Sequence, residues 1–174
     1  MSILAIITAR GGSKRIPRKN IKEFMGKPML FYAISAALES NIFDEVMVST
    51  DDEEIAEVAV KYGAKVPFIR SQKNSDDFAT TTDVLYEVIN EYNAKGRFFD
   101  EFCCVYPCVT FLTKDILKKA YKKFKCSRDG EALVPVVRYS YPIQRAFRNS
   151  NGFLSYREPD NAFVRSQDLE PMYH

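Results

Sequence analysis

The sequence predicts an α/β fold in which a mostly parallel sheet lies between helices, and three observations support this prediction. Short apolar runs such as Ile3–Thr8 are typical of buried strands. Between them lie longer stretches, for example around Ile34, whose apolar residues recur at helical spacing. Proline, glycine and acidic residues stand where such helices would begin or end. Strands that alternate with helices pair in parallel, because each helix carries the chain back across one face of the sheet.

Each element has a local signal of its own. Pro28 suits the first turn of a helix, because its fixed φ angle is preset for that position. Asp51 and Asp52 favour the start of the next helix, since carboxylates complement the positive end of its dipole, and Gly63 suits the position after its end. Thr113 is a good N-cap for the last helix. In chain order we predict a strand at 3–8, a helix at 28–41, a strand at 45–50, a helix at 51–63, a strand at 66–69, a helix at 80–92, a strand at 101–106, a helix at 113–124 and a strand at 132–137.

The character of the sequence changes after Pro142. Residues 143–156 contain short alternating runs on either side of Asn149–Gly152, which is typical of a hairpin. Residues 157–174 show no clear periodicity and are interpreted as an extension. We therefore predict an α/β core at 1–140 and an extension at 141–174. An extension with little core of its own favours a homodimer.

The composition argues against several classes of function. A net charge of +2 over 174 residues is too small to indicate bulk nucleic-acid binding. The four cysteines form no Cys-x-x-Cys motif, so a zinc site is not expected. The only histidine, His174, leaves no internal one for a Ser-His-Asp or Cys-His arrangement. No apolar run is long enough to span a membrane and no signal peptide is recognisable, which predicts a cytoplasmic protein.

The loop after the first strand, Ala9–Asn20, is the strongest functional signal in the chain. Its paired glycines, Gly11 and Gly12, let the backbone approach a ligand closely, and successive backbone N–H groups in such a turn can bind an anion. A loop of this kind at the carboxyl end of a buried strand suits a polyphosphate. Six residues between positions 10 and 22 are cationic and none is acidic: Arg10, Lys14, Arg15, Arg18, Lys19 and Lys22.

Other strand ends are expected to complete this site. Ligands of parallel sheets bind beyond the carboxyl ends of the strands, and Asp51, Arg70 and Pro107 each follow a predicted strand. Taken singly, Arg70 is typical of a surface charge and Asp77 of a helix N-cap. The loop alone also leaves open a solvated turn or a nucleic-acid contact. It is not a Walker A loop, because no Gly-Lys-Ser/Thr follows the glycines.

A series of motifs along the chain resembles the acylneuraminate cytidylyltransferases. The motifs are Arg10–Asn20, Gly26–Pro28, Phe43–Asp44, Val48–Asp52, Ile55–Ala56, Gly63–Ala64, Arg70 and Asp77–Thr81. The resemblance covers essentially the whole chain and implies a three-layer Rossmann-like nucleotidyltransferase fold with a small C-terminal β-rich dimerisation extension. The implied reaction transfers CMP from CTP to the anomeric hydroxyl group of a nonulosonic acid, of the pseudaminic or sialic acid type. It releases pyrophosphate and serves the synthesis of surface glycans.

The resemblance also implies roles for individual residues. Arg10 and Lys14 match positions that hold the triphosphate, and they are the expected catalytic residues, because fixed cations stabilise the charge that accumulates on the leaving pyrophosphate. Asn20 matches a nucleotide-contacting position, and Arg70 with Ala79–Thr81 matches the cytosine pocket. The implied nucleotide-binding residues are Arg10, Gly11, Gly12, Ser13, Lys14, Asn20, Arg70, Ala79 and Thr81.

Later motifs indicate the sugar acid. Arg165 and Gln167, together with Tyr173–His174, are most similar to the branch of the family that uses pseudaminic acid. Where sialic acid enzymes usually carry Gln-Pro-Thr-Ser-Pro-Leu, this chain has a different segment that begins at Tyr106, which favours a modified nonulosonate. The expected substrate-binding residues are therefore Tyr106, Arg165 and Gln167. In the family, the extension that carries the last two crosses to a partner subunit.

The resemblance implies Mg²⁺ as a cofactor that binds with CTP, since phosphoryl transfer from a nucleoside triphosphate usually needs it. In the family, the aspartates that bind the ion lie near the end of a longer chain. We therefore expect its ligands beyond residue 174, assign no metal ligand within the chain, and regard the nucleotide-binding core as incomplete. A core of this kind is expected to bind CTP weakly and to turn over slowly or not at all.

Two alternative functions stay open at this point. A related nucleotidyltransferase would act on another sugar acid, such as an octulosonate. A non-catalytic nucleotide- or RNA-binding module would also account for the basic loop, and salt-dependent binding of RNA in preference to CTP would favour it.

Overall fold

The chain divides into two compact units, Met1–Asp129 and Gly130–His174. The computed structural model describes residues 1–127 and 132–174. In chain order the first unit contains β1 (Ile3–Thr8), β2 (Glu23–Phe24), β3 (Lys27–Pro28), α1 (Met29–Ser40), β4 (Glu45–Ser49), α2 (Glu53–Lys61), a 3-10 turn at Gln72–Asn74, α3 (Thr81–Ala94), β5 (Glu101–Val105) and α4 (Lys114–Phe124). The second contains β6 (Phe147–Ser150), β7 (Phe153–Tyr156) and 3-10 turns at Ile143–Arg145, Pro159–Asn161 and Ser166–Asp168.

A three-stranded parallel sheet forms the centre of the first unit. Its order is β4-β1-β5, so the first strand lies in the middle and pairs in parallel with both neighbours. Ile7 of β1 lies opposite Val48 on one side and Val105 on the other. The predicted α/β fold with a parallel sheet is confirmed, and the carboxyl ends of all three strands lie at one edge.

The two faces of the sheet are covered by different helices. Successive side chains of a strand point to opposite faces, and β1 follows this rule. Ala5 and Ile7 pack among buried residues of α1 and α2, whereas Leu4 and Ile6 pack against Val88 and Tyr92 of α3. The result is three layers, with β1 buried on both faces, as its uninterrupted apolar sequence predicts.

Three of the helices begin at a side chain that accepts a hydrogen bond from the first turn. Asp52 caps α2 by accepting from the backbone N–H of Ile55, and Thr113 caps α4 in the same way. Thr80 caps α3, and Asp83 in turn accepts a hydrogen bond from the backbone N–H of Thr80, which completes a capping box. Asp77 is therefore not the N-cap of α3, and its interpretation as a cap is wrong.

Two of the predicted strands are wrong, and proline accounts for both errors. At residues 66–69 only the preceding Lys65 makes an isolated parallel bridge, to Met47 of β4. Pro67 follows and has no N–H group to continue the ladder. Residues 132–137 contain no strand either, because Pro135 interrupts that run, and the adjacent Arg138 makes only an isolated bridge.

The second unit contains the predicted hairpin. β6 and β7 pair in antiparallel register, and the two residues between them, Asn151 and Gly152, have φ angles of 54° and 88°. Positive φ at both central positions is the requirement of a type I′ turn, which Asn-Gly meets well. The role of residues 141–174 in dimerisation stays a prediction.

The helices within residues 1–127 and 132–174 are not suited to cross a membrane. No helix there combines the length and the apolar character that crossing a membrane requires.

A buried ionic network closes the sheet edge opposite the strand ends that carry the basic loop. Glu45, the first residue of β4, is buried and accepts hydrogen bonds from Tyr92 Oη, from Arg97 Nη2 at 2.7 Å and from Lys65 Nζ at 2.7 Å. Burial alone would raise the pKa of the Glu45 carboxyl, but these hydrogen bonds outweigh it and hold the pKa below its ordinary value.

The stability of the fold at acidic pH is therefore expected to depend on the charge of Glu45. A carboxyl whose pKa is lowered by folding contributes stability above its unfolded pKa, and that stability is lost as the pH falls through the folded pKa. The free energy of unfolding should thus decline below about pH 4.5. Glu45→Gln should lower it by about 1 kcal/mol at neutral pH and flatten this decline. Chemical denaturation between pH 3 and 7 measures both effects, and an equal slope in wild type and variant would contradict the assignment. Glu57→Gln, on the exposed face of α2, is the control.

Candidate functional site

A cleft of about 570 Å³ opens beyond the carboxyl ends of the parallel strands. The loop after β1 forms one side of it, and the segment that leads into α3 forms another. Tyr106 and Pro107, which follow β5, also line it. Each contribution comes directly after a strand or directly before a helix, which is where parallel sheets place their ligands.

Two cations of the basic loop converge on one carboxylate inside this cleft. Arg10 Nη2 lies 3.2 Å from Asp77 Oδ1, and Lys14 Nζ forms an ion pair with Asp77 Oδ2. Arg10 Nη1 also donates to the backbone carbonyl of Asp76 at 2.6 Å. The Lys14 ammonium beside Asp77 holds the pKa of that carboxyl below its ordinary value. The loop thus presents two fixed positive charges to the interior of the cleft.

The loop is attached to the end of β4 and the start of α2. The backbone N–H of Gly11 donates to Asp51 Oδ1 at 2.8 Å. Arg18, which has a positive φ of 54°, pairs with Asp52 and with Glu54. The Arg18 hydrogen bond holds the pKa of the Asp52 carboxyl below its ordinary value. These contacts fix the path of the loop between its glycines and its later cations.

Asn20 closes the far end of the loop, and its side chain is almost fully buried. Its Nδ2 donates to the carbonyl of Arg10 at 2.8 Å, and its Oδ1 accepts from Cys108 Sγ at 3.2 Å. Burial raises the pKa of the Cys108 thiol, which favours the protonated form that can donate. The amide is therefore held in one orientation at the wall of the cleft, and its Nδ2 keeps one hydrogen that is not used by the Arg10 carbonyl.

Arg70 lies at the inner end of the cleft with 5% of its surface exposed, so its interpretation as a surface charge is wrong. Its Nε donates to Ser49 Oγ at 2.9 Å, and its Nη2 donates to the Ser49 carbonyl. Burial lowers the pKa of the guanidinium, while the nearby charges of Asp51 and Glu87 oppose that effect. Arg70 is thus a fixed hydrogen-bond donor beside β4.

The start of α3 meets the end of β5 across the cleft. Ala79, Thr80 and Thr81 line the cleft, and Thr81 Oγ1 lies 3.4 Å from Tyr106 Oη. This contact connects the segment predicted to bind the nucleotide with the residue predicted to bind the sugar acid.

Most of the sequence-predicted site residues are brought together by the fold. Those that line the cleft are Arg10, Ser13, Lys14, Asn20, Arg70, Ala79, Thr81 and Tyr106. Gly11 and Gly12 lie between Arg10 and Ser13 in the same loop. Arg165 and Gln167 belong to the second unit, at the 3-10 turn Ser166–Asp168, where Arg165 Nε pairs with Asp168 Oδ2 at 2.7 Å.

The sequence places Asp77 in one of the family motifs, but it predicts neither the ion pairs of Asp77 with Arg10 and Lys14 nor the hydrogen bond from Cys108 to Asn20. Asp77 carries no local signal for its ion pairs, because its partners lie in a loop far away along the chain. For Cys108 the only expectation was that the cysteines do not form a zinc site. The one usable signal was the position of Cys108 directly after Pro107, itself expected at the cleft.

Two aspartates line the cleft and both carboxylates already have partners: Asp77 pairs with Arg10 and Lys14, and Asp76 Oδ1 accepts from the backbone N–H groups of Phe78 and Ala79. Residues 1–127 and 132–174 contain no group of three or more His, Cys, Asp or Glu side chains that could hold a metal ion.

Comparison with known proteins gives consistent results. Residues 4–163 match the family described as cytidylyltransferase. The chain is 49% identical over its whole length to a pseudaminic acid cytidylyltransferase of Campylobacter jejuni, of which it covers 75%. It is 40% identical, over 78% of the chain and 58% of the relative, to a CMP-N,N'-diacetyllegionaminic acid synthase of Legionella pneumophila. Its fold is similar to that of a CMP:2-keto-3-deoxy-manno-octonic acid synthetase solved with CTP, with a TM-score of 0.66 and 20% identity over 99% of this chain and 70% of that one.

Proposed function

The chain belongs to the cytidylyltransferase family, and we propose that it transfers CMP from CTP to the anomeric hydroxyl group of a nonulosonic acid of the pseudaminic type, releasing pyrophosphate. The observation that carries the proposal is the convergence of Arg10 and Lys14 on one point of the cleft, next to the fixed side chains of Asn20 and Arg70. Two cations with adjacent hydrogen-bond donors suit a nucleoside triphosphate.

Arg10 and Lys14 are proposed to hold the β- and γ-phosphates. The sugar hydroxyl group loses its proton to water as its oxygen attacks the α-phosphorus, and the bond from that phosphorus to the oxygen that bridges to the β-phosphate breaks. Negative charge then accumulates on the departing pyrophosphate. Cations that are already in place stabilise this charge without reorganisation at the moment of reaction, which is the main source of catalysis in such transfers.

Asn20, Arg70 and the start of α3 are proposed to bind the nucleoside. The remaining Nδ2 hydrogen of Asn20 can donate to the ligand, because the other one is used by the Arg10 carbonyl. Backbone groups at Ala79–Thr81 would distinguish the cytosine amine, a donor, from the uracil carbonyl, an acceptor. A wrong base would leave a polar group in the pocket unpaired.

The sugar-acid site and the assembly are further proposals. Tyr106, held next to Thr81, is proposed to contact the sugar acid. Arg165 and Gln167 are proposed to reach the corresponding site of a partner subunit in a homodimer, as the family resemblance implies. We also propose that Mg²⁺ enters with CTP, bound by phosphate oxygens. A cytoplasmic location would give the enzyme access to the cellular pool of CTP.

Isothermal calorimetry with CTP and UTP tests the nucleotide part of the proposal. CTP is expected to bind, and UTP to bind at least about tenfold more weakly. Pyrophosphate release with pseudaminic, sialic and octulosonic acids then tests the acceptor, and pseudaminic acid is expected to be used best. Failure to bind CTP, or a preference for RNA, would contradict the proposal. Preferred use of the octulosonic acid would contradict only the choice of sugar.

A further inference from the structure

Asp77 occupies the position in the cleft where the two cations of the basic loop meet. Its carboxylate contacts Arg10 through Oδ1 and Lys14 through Oδ2, so one anion bridges both cations. Arg10 keeps a second contact, to the carbonyl of Asp76. The cations are therefore arranged for an anion before any ligand arrives, and the protein supplies that anion itself.

We infer that Asp77 is an internal competitor of the phosphates, which leaves the cations when CTP binds and returns to them as pyrophosphate departs. This inference rests on the proposed function. A triphosphate carries more negative charge than one carboxylate and can bridge the same two cations. Binding then exchanges one anion for another, and the net gain in affinity is reduced by the two ion pairs that are lost.

The surroundings of Asp77 permit this exchange. Its side chain is 40% exposed, so the carboxylate can rotate into water without leaving a buried charge unpaired. The backbone at this point is fixed independently, because Asp76 Oδ1 accepts hydrogen bonds from the backbone N–H groups of Phe78 at 2.9 Å and Ala79 at 2.7 Å. Movement of the Asp77 side chain alone would leave the start of α3 and the cleft wall in place.

The exchange would assist product release. The same cations that stabilise the leaving pyrophosphate also bind it as a product, and tight binding would slow turnover. A carboxylate attached to the cleft wall competes at high local concentration for those cations. Asp77 would thereby weaken binding of every ligand that carries the β- and γ-phosphates, without affecting the nucleoside.

The substitution Asp77→Asn tests the inference, because it keeps the shape of the side chain and removes its charge. Calorimetry should show tighter binding of inorganic pyrophosphate and of CTP by about three- to tenfold, the range expected for two partly exposed ion pairs. Binding of cytidine, which has no phosphate, should not change. In a Lys14→Ala background the gain should shrink, because one of the two contested cations is absent.

The exposed Glu91→Gln on α3 is the control, since it changes the net charge equally at a site outside the cleft, and no gain is expected. Unchanged or weaker pyrophosphate binding by Asp77→Asn would overturn the inference, because it would mean that Asp77 positions the cations instead of competing for them. If the wild-type protein bound pyrophosphate but not CTP, that result would overturn the proposed function instead. Binding of neither ligand by either protein would overturn both.

Discussion

Lys14→Ala is expected to weaken CTP binding by about 10- to 100-fold, which corresponds to the loss of one charge-assisted contact to phosphate. Cytidine should bind as it does to wild type, because the loss concerns only the phosphates. Pyrophosphate release, which is expected to be slow in the wild-type chain, should be slower still, since Lys14 is also proposed to stabilise charge that develops on the leaving group. Calorimetry with both ligands measures the first effect.

The control for Lys14 is another lysine of the same basic segment. Lys22 is exposed and does not line the cleft, so Lys22→Ala changes the net charge equally and should leave CTP affinity within about twofold of wild type. Lys14 is 78% exposed, and its removal should not change the unfolding temperature. An equal loss for CTP and cytidine, or for the two lysine variants, would show that Lys14 does not bind phosphate.

The parts of the fold that the sequence predicts well are those decided by local chemistry. The short apolar run at Ile3–Thr8 predicts a strand that is buried on both faces, and the structure has that strand. Thr113 begins its helix because its side chain accepts a hydrogen bond from a backbone N–H group of the first turn. The strand at 66–69 was wrong for a related reason. Its apolar residues suit a strand, but a ladder needs an N–H group that Pro67 does not have.

The contacts that shape the cleft could not be predicted in this way, because they join distant segments. The sequence places Arg10 and Lys14 in a basic loop, but nothing local shows that both face Asp77. The orientation of the Asn20 amide likewise depends on Cys108, which only the packed structure brings near. Long-range pairs of this kind follow from the topology of the sheet, and motifs alone do not encode them.

Gly11→Ala is expected to disturb the basic loop itself. A Cβ atom at this position would lie 2.7 Å from Asp52 Oδ2, which is closer than real contacts allow, and 3.0 Å from Asp52 Cβ, which is tighter than most of them. Asp52 cannot move freely, because it caps α2 at Ile55 and pairs with Arg18. We expect a loss of about 1–3 kcal/mol in the free energy of unfolding, together with weaker CTP binding as Arg10 shifts. Thermal unfolding with and without CTP measures both.

The neighbouring glycine provides a matched control. A Cβ atom at Gly12 meets nothing within 4 Å, so Gly12→Ala adds the same methyl group to the same loop without a clash. Its unfolding free energy should stay within about 1 kcal/mol of wild type, because alanine also lowers the entropy of the unfolded chain. Equal destabilisation of both variants would mean that the loop needs glycine for its backbone angles. A difference confined to Gly11 would show that the contact with Asp52 sets the position of the basic loop.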